Sequence, residues 1–205
     1  MSAPPSVRLT RRDESAAMSP VLTDAFVDEA GLNYWLKQGR EKETARRKFF
    51  DAIVEDAVHP ERDIYVAEGE GEHLGAALWL KSGKKAFDLS VLKQVSLTPL
   101  MLSIAGVRGM QRGFALADKL ETYHPKAPHA HLVFLGVATN VQGRGVGSEL
   151  LKHTLASLDA SGTVAYLECS TERNVALYQR HGFEVTGQFE LPNLHMWTMA
   201  RQPRR

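Results

Sequence analysis

The stretch most able to do chemistry is Gln142-Gly143-Arg144-Gly145-Val146-Gly147-Ser148, which follows a strand pattern ending at Val137 and opens an amphipathic helix. Glycines at 143, 145 and 147 let the backbone take positive φ and let a ligand approach with no Cβ in the way. The first N–H groups of a helix have no partner inside it, and the helix dipole adds partial positive charge there. Such a turn suits phosphate oxygens, and Arg144 offers a charged contact to the same anion. Neither the Gly-Lys-Ser/Thr of a nucleotide P-loop nor the Gly-x-Gly-x-x-Gly of a dinucleotide site is present, so those two readings fail.

Glu168 is a second chemical candidate. Alternation along the strand 164–169 puts it on the face of Val164 and Tyr166, and a carboxylate late in an apolar strand is costly unless paired or working. It reads either as a general base or as an ion-pair partner of Arg173 or Arg180. The single cysteine, Cys169, has apolar neighbours and no adjacent base, so an acyl-cysteine route is not expected. The eight histidines show no His-x-x-x-His or Cys–His spacing, so no metal is expected either.

The order of the motifs resembles a known family. Gln142-x-x-Gly145-x-Gly147 after a strand ending in valine is similar to the acetyl-CoA signature of the GNAT N-acetyltransferases. Downstream, Asn174-Val-Ala-Leu-Tyr178-Gln-Arg-His-Gly182-Phe183 looks like the family's Asn-x-x-x-Tyr-x-x-x-Gly-Phe segment. The resemblance is strong over about 130–186. His124-Pro-Lys-Ala-Pro128, Gly136-Val137 and Leu167-Glu168-Cys-Ser-Thr-Glu-Arg173-Asn174 narrow it toward the branch typified by puromycin N-acetyltransferase. Thr139-Asn140 departs from it, since many relatives carry a proline after the strand.

The resemblance implies a GNAT fold and acetyl-CoA as cosubstrate. It implies that the backbone of Leu135 and Val137 pairs with the pantetheine arm as an added strand edge. The N–H groups of Gly143, Arg144, Gly145, Val146, Gly147 and Ser148 would hold the pyrophosphate, with Gln142 and the Arg144 side chain closing around it. Asn174 would orient its helix start and the pantetheine amide. Tyr178 stands where the family protonates the leaving thiolate, although beside Val175 and Leu177 it also reads as part of a buried helix face. His131 lies eleven residues before Gln142, where the histone-acetylating branch places its glutamate base. An imidazole titrates near neutrality and suits proton removal from an amine, but a half-exposed histidine at a strand start is the alternative. Glu168, His131 and water all stand as candidates for the base.

These residues need a scaffold, and the patterning supplies one. Strands are expected at 7–10, 64–68, 74–80, 131–137, 164–169, 183–189 and 195–199. Helices are expected from Glu14 to a stop at Gly31, with Pro20 as a kink or in the first turn, then at 41–58 and closed by His59-Pro60. Further helices follow over 84–123, broken near Pro99, Gly106 and Gly109, then at 146–161 and 173–181. The near-apolar run Val95–Val107 is too short to span a bilayer and reads as a buried helix. The whole is one α+β domain over 1–205: a mostly antiparallel mixed sheet flanked by helices. By resemblance, one parallel strand pair is splayed, the cofactor core is 130–186, and 84–123 is an added helical segment that helps wall the acceptor pocket.

Composition bounds the rest. The chain has 205 residues, 43% hydrophobic and 24% charged, which is ordinary for a folded domain. A net charge of +1 gives no field toward nucleic acid or anionic lipid. No targeting or membrane segment is recognisable, so a cytoplasmic address is the default expectation. A small-molecule amine is the expected acceptor, with a peptide amine or a non-catalytic acyl-CoA sensor as alternatives. Tyr34, Trp35 and Trp79 could line the acceptor pocket. Monomer and homodimer are equally open.

Overall fold

The computed structural model describes residues 4–55, 62–83 and 91–204. Among the described residues, seven strands and six α-helices follow in the order β1 (Ser6–Leu9), α1 (Met18–Ala25), α2 (Ala30–Trp35), α3 (Lys42–Val54), β2 (Arg62–Gly69), β3 (Glu72–Leu80), α4 (Val91–Tyr123), β4 (Ala130–Val137), α5 (Val146–Ala160), β5 (Ala165–Cys169), α6 (Glu172–Arg180), β6 (Glu184–Leu191) and β7 (Leu194–Arg201). The strands form one sheet, β1-β2-β3-β4-β5-β7-β6, antiparallel throughout except for the parallel β4–β5 pair. This is the mixed α+β sheet expected from the patterning.

Alternation splits the strand residues between two cores. Ile64, Val66, Ala76, Leu78 and Leu80 pack against α1, α3 and α4, where Phe26, Phe49, Phe50 and Phe134 meet edge-on with centroids 5.2–5.8 Å apart. Ala77, Trp79, Leu132, Ala165, Leu167 and Met199 face the other way, onto Val146, Leu150, Leu151 and Leu155 of α5. A two-residue turn, Glu70-Gly71, with positive φ at both positions (52° and 82°), joins β2 to β3.

Several helix expectations need correction. Gly31 does not stop a helix but sits inside α2, whose start is capped by the Glu29 carboxylate accepting from Gly31 N and Leu32 N. Pro20 lies in the first turn of α1, after a 3-10 turn at Arg12–Ala17, which is the second of the two arrangements expected for it. Pro99 stays within α4, and Gly109 packs against the Trp35 carbonyl without ending the helix. The break comes at Gly106, with φ 63° and ψ 176°. The Val95–Val107 run is only partly buried: Val95 and Val107 are 65% and 66% exposed, Ile104 and Ala105 are buried, and Leu100 and Met101 pack partly buried against the same core. The helix end expected at 56–58, its His59-Pro60 closure and the 84–90 segment lie outside the described residues. Among the described residues, no helix is long and apolar enough to cross a membrane.

Candidate active site

The phosphate-type turn forms as its glycines require. Gly143 and Gly145 take φ of 78° and 89°, and a Cβ at either would meet nothing within 4 Å, so open space lies over the turn. Gly145 caps α5 in the left-handed region, and the first helical amide to find a carbonyl is Glu149 N, 3.0 Å from Gly145 O. Arg144 N reaches Val141 O at 3.4 Å. Among the described residues, the amides of Gly143, Gly145, Val146, Gly147 and Ser148 meet no protein acceptor. Orphan donors at a helix start, with room above them, fit a polyanion.

Beside the turn, β4 parts from β5. Their pairing covers Ala130↔Ala165, His131↔Tyr166 and Leu132↔Leu167, then stops. A register shift against β3 leaves Val133 as an extra residue where the strands separate. Ala138 N donates to Leu74 O at 2.9 Å, which sets the alternation: Phe134 and Gly136 turn their backbone groups to β3, while Leu135 and Val137 turn theirs into the gap. Gln142 Nε2 donates to Val137 O at 3.1 Å, so this side chain ties the turn to the strand end. On the other side α1 lies directly on β4, since a Cβ on Gly136 would stand 2.8 Å from Ala25 Cβ. Asp24 at the end of α1 accepts from Thr139 N (2.7 Å) and Thr139 Oγ1 (3.1 Å). A proline at 139 would have no N–H to give.

At the root of the gap, on the face away from α5, the two base candidates meet. His131 is only 3% exposed, and its Nε2 lies 2.7 Å from Glu168 Oε2. Glu168 therefore pairs with neither Arg173 nor Arg180, and His131 is not half-exposed. Burial pushes the Glu168 carboxyl up, but the field of His131 when it is protonated and the hydrogen bonds of His131 and Tyr166 outweigh it and hold the group below its ordinary value. His124 Nδ1 stands 4.0 Å from Glu168 Oε1, and the rings of His124, His129 and Tyr166 complete the cluster. His124, His131 and Glu168 offer donor atoms within 4.8 Å of one another, a constellation capable of holding a cation that the spacing test could not see, because three separate elements supply it.

Tyr178 is buried in α6, whose start Thr171 caps through its side chain to Asn174 N. The phenol is held well above its ordinary value by burial first, then by Cys169 and Glu29, so it stays protonated. Burial likewise pushes the Cys169 thiol up to about 12, which makes it a poor nucleophile. Glu29 is a residue that sequence reasoning missed. Besides capping α2, its Oε1 accepts from Ser170 Oγ at 2.5 Å and so fastens α2 to the end of β5.

That fastening sets one wall of an open cleft of about 500 Å³, lined by Ala30, Asn33, Tyr34, Arg112, Pro192 and Asn193. Tyr34 lies in it. Trp35 instead packs edge-on to Phe49, and Trp79 borders a separate cavity of about 180 Å³ between the sheet and α5. Of these three aromatics, Tyr34 alone lines the cleft of about 500 Å³.

Similar proteins are N-acetyltransferases. An uncharacterized N-acetyltransferase, C550.08 of Schizosaccharomyces pombe, is 26% identical over 185 residues, which are 86% of this chain and 72% of the relative. A 5-NmdU N-acetyltransferase of Pseudomonas phage PaMx11 is 31% identical over 88 residues, 42% of this chain and 59% of its own length. Among solved structures, histone acetyltransferase HPA2 and related acetyltransferase from Corynebacterium glutamicum is 25% identical, with a TM-score of 0.75, covering 99% of this chain and 98% of its own. The acetyltransferase (GNAT) family model matches residues 31–183, spanning both α2 and the glycine turn. The chain therefore belongs to the GNAT family and is an N-acetyltransferase.

Proposed function

We propose that this enzyme transfers acetyl from acetyl-CoA to the primary amine of a small molecule, by direct attack within a ternary complex. The observation that carries the reading is the run of amides at 143 and 145–148 without protein acceptors, beside a strand edge that β5 leaves free. Those amides and the Arg144 side chain hold the pyrophosphate, and the backbone of Leu135 and Val137 takes the pantetheine arm. Gln142 keeps the turn against β4, and Asn174 orients the start of α6. When bound, acetyl-CoA supplies an activated acetyl thioester.

The protein's own groups manage protons and charge. The amine must be neutral to attack, so something must take the ammonium proton. His131 suits that role as a pair with Glu168. Its Nε2–H donates to the carboxylate, and its Nδ1 is buried without a partner, which leaves a lone pair for the proton. Glu168 holds the ring and stabilises the imidazolium, the part a buried carboxylate plays in a Ser-His-Asp triad. Tyr178, kept protonated by its surroundings, gives its proton to the leaving thiolate.

Small acceptors are favoured by the size of the cleft, about 500 Å³, which falls within the roughly 300–1,000 Å³ of ordinary ligand pockets. The names of the relatives point both ways, one to 5-NmdU and one to histone. Release of CoA measured across a panel of small amines and a lysine-rich peptide tests the reading. Turnover with small amines is expected. Acetylation of the peptide alone would move the acceptor class to protein, and acetyl-CoA binding with no turnover on any amine would end the transfer reading.

A further inference from the structure

Arg112 lies in the second half of α4, past the break at Gly106, and lines the cleft of about 500 Å³. Small residues on either side of it let α4 lie close on α2. A Cβ on Gly109 would collide with the Trp35 carbonyl, and one on Gly113 would touch the Trp35 ring at 3.7 Å. Arg112, between them, then reaches the end of α2. Its Nη1 donates to Tyr34 O at 3.0 Å, and its guanidinium carbon stands 5.9 Å from the centre of the Tyr34 ring. Among the described residues, its other N–H groups meet no acceptor.

No opposite charge balances this cation. The other lining residues of the cleft, Ala30, Asn33, Tyr34, Pro192 and Asn193, are neutral. Glu29, at the start of α2, is taken up by Gly31 N, Leu32 N and Ser170 Oγ. Glu190, before the β6–β7 turn, stands 3.7 Å from His195 Nδ1. Arg108 and Lys119 share the face of α4 that carries Arg112, one turn before it and two turns after. Both are exposed, and among the described residues neither forms an ion pair. Asp118 and Glu121 lie off that face. An unbalanced cation in a cleft, reinforced along its helix, draws anions from solvent.

The cleft opens on the face of the sheet that carries Glu168. Alternation puts Glu168 and Ser170 on the same side of the chain, and Glu29 ties α2 to Ser170. Thr198 of β7 pairs with Glu168, and from there β7 leads back to Asn193 on the cleft rim, five residues or about 17 Å of strand. We infer that the acceptor is an amine that also carries an oxyanion, a carboxylate or a phosphate set well apart from the amine, and that Arg112 binds this second group. The inference rests on the acetyl-transfer reading above and names the class of its acceptor. The amine enters the gap between β4 and β5 while the oxyanion stays in the cleft, against the free edge of the guanidinium. A planar fork of N–H donors suits two oxygens of one anion. Arg108 and Lys119 do not touch the acceptor and act through the field that gathers it.

The test runs paired acceptors through the CoA-release assay: ω-amino acids and aminoalkyl phosphates of increasing chain length, each beside the n-alkylamine of the same length. Expected for the matching length is a kcat/KM about 10- to 100-fold higher than for the neutral partner, the span of one hydrogen bond to a charged group. The gain should lie mainly in KM and shrink as NaCl rises. Arg112→Gln should lose most of it and Arg112→Lys should keep part. Loss of the Tyr34 contact alone would slow both members of a pair alike, so the ratio within a pair isolates recognition of the charge. The series that shows the gain identifies the oxyanion. A ratio near one in both series at every length, or one that Arg112→Gln leaves intact, overturns the inference while turnover of the neutral amines keeps the transfer reading. The salt series needs no variant and decides alone if Arg112→Gln does not fold: a ratio flat in NaCl overturns the inference. Acetyl-CoA binding with no turnover of any amine overturns the transfer reading and the inference with it, and is told apart because the neutral partners fail too.

Discussion

The proposed donor side and the proposed acceptor side of this site are built in different ways. The donor side is one continuous piece of chain: strand end, glycine turn and helix start within Leu135–Ser148. Its chemistry belongs to the backbone, and it needs glycine to open the space and set the turn. The acceptor side is assembled from distant pieces held by side chains. Glu29 reaches across 141 positions to Ser170, and His131 across 37 to Glu168. A backbone site tolerates most side-chain changes but not a change of backbone conformation. A side-chain site fails one residue at a time.

The largest expected effect breaks the acceptor side alone. His131→Ala should lower kcat about 10²–10³-fold, within the span of general acid–base catalysis, with the Kd for acetyl-CoA unchanged by calorimetry. Glu168→Gln should follow it and flatten the acidic limb of the kcat/KM profile, because the base works only when unprotonated. A limb that survives both substitutions would hand the role to water. Next in size, Gly145→Asp should break the donor side alone. The new carboxylate faces the bound pyrophosphate, and the left-handed φ of 89° strains any side chain. Together these should cost about 3–4 kcal/mol, a loss in acetyl-CoA affinity of roughly 10²–10³-fold, while the thermal transition stays cooperative. An unaltered Kd would remove the cradle from the mechanism.

What was legible follows the same division. All seven strands were expected close to their observed positions, because alternation is a local pattern. The glycine turn and the α6 segment were legible for the same reason. The His131–Glu168 pair was not: each was a separate candidate, and strand order had to bring them together. His124 stood in a motif of the resemblance but with no role, and His129 carried no local pattern. Glu29 was invisible because Gly31 was read as a helix stop, when it is the first amide bound by the Glu29 cap. Pro99 and Gly109 were over-read as breaks, since packing decides which helix interruptions are tolerated.

A smaller effect reports on the buried histidines without requiring turnover. His124 and His129 both sit below the ordinary 6.5 because burial opposes their charge. The unfolded chain therefore binds more protons than the folded one once pH drops under about 6.5, and stability is lost as pH falls through the folded values. Urea unfolding should give a declining midpoint between about pH 7 and 5, and the decline should shrink in the His124→Gln, His129→Asn double variant. Asp159 does not confuse this window. Its bidentate contact with Arg201 holds it at about 2, so its contribution is lost only in stronger acid, between 3.8 and that value. A midpoint flat from pH 7 to 5 would mean that the histidines reach water more freely than their burial implies.

The smallest effect falls at the junction of the two sides. Thr139 is where the resemblance leads one to expect proline, and here its N–H and hydroxyl both donate to Asp24 at the end of α1. Thr139→Pro removes both bonds, each worth about 0.5–1.5 kcal/mol, though the low end applies because Asp24 is exposed and water can replace them. Against that loss, proline at the first position of the 3-10 turn Thr139–Val141 restricts the unfolded chain, a gain of about 0.4–1 kcal/mol. The net should be a destabilisation near 0.5 kcal/mol, or a fall in Tm of about 1–2 °C for a chain of this size, with acetyl-CoA affinity unchanged because the orphan amides lie beyond the turn. A rise in Tm would mean that the entropy term outweighs the Asp24 contact. A fall in Tm with weakened acetyl-CoA binding would mean that α1 holds the donor cradle in shape through Asp24, and the two sides would then be coupled at this one residue.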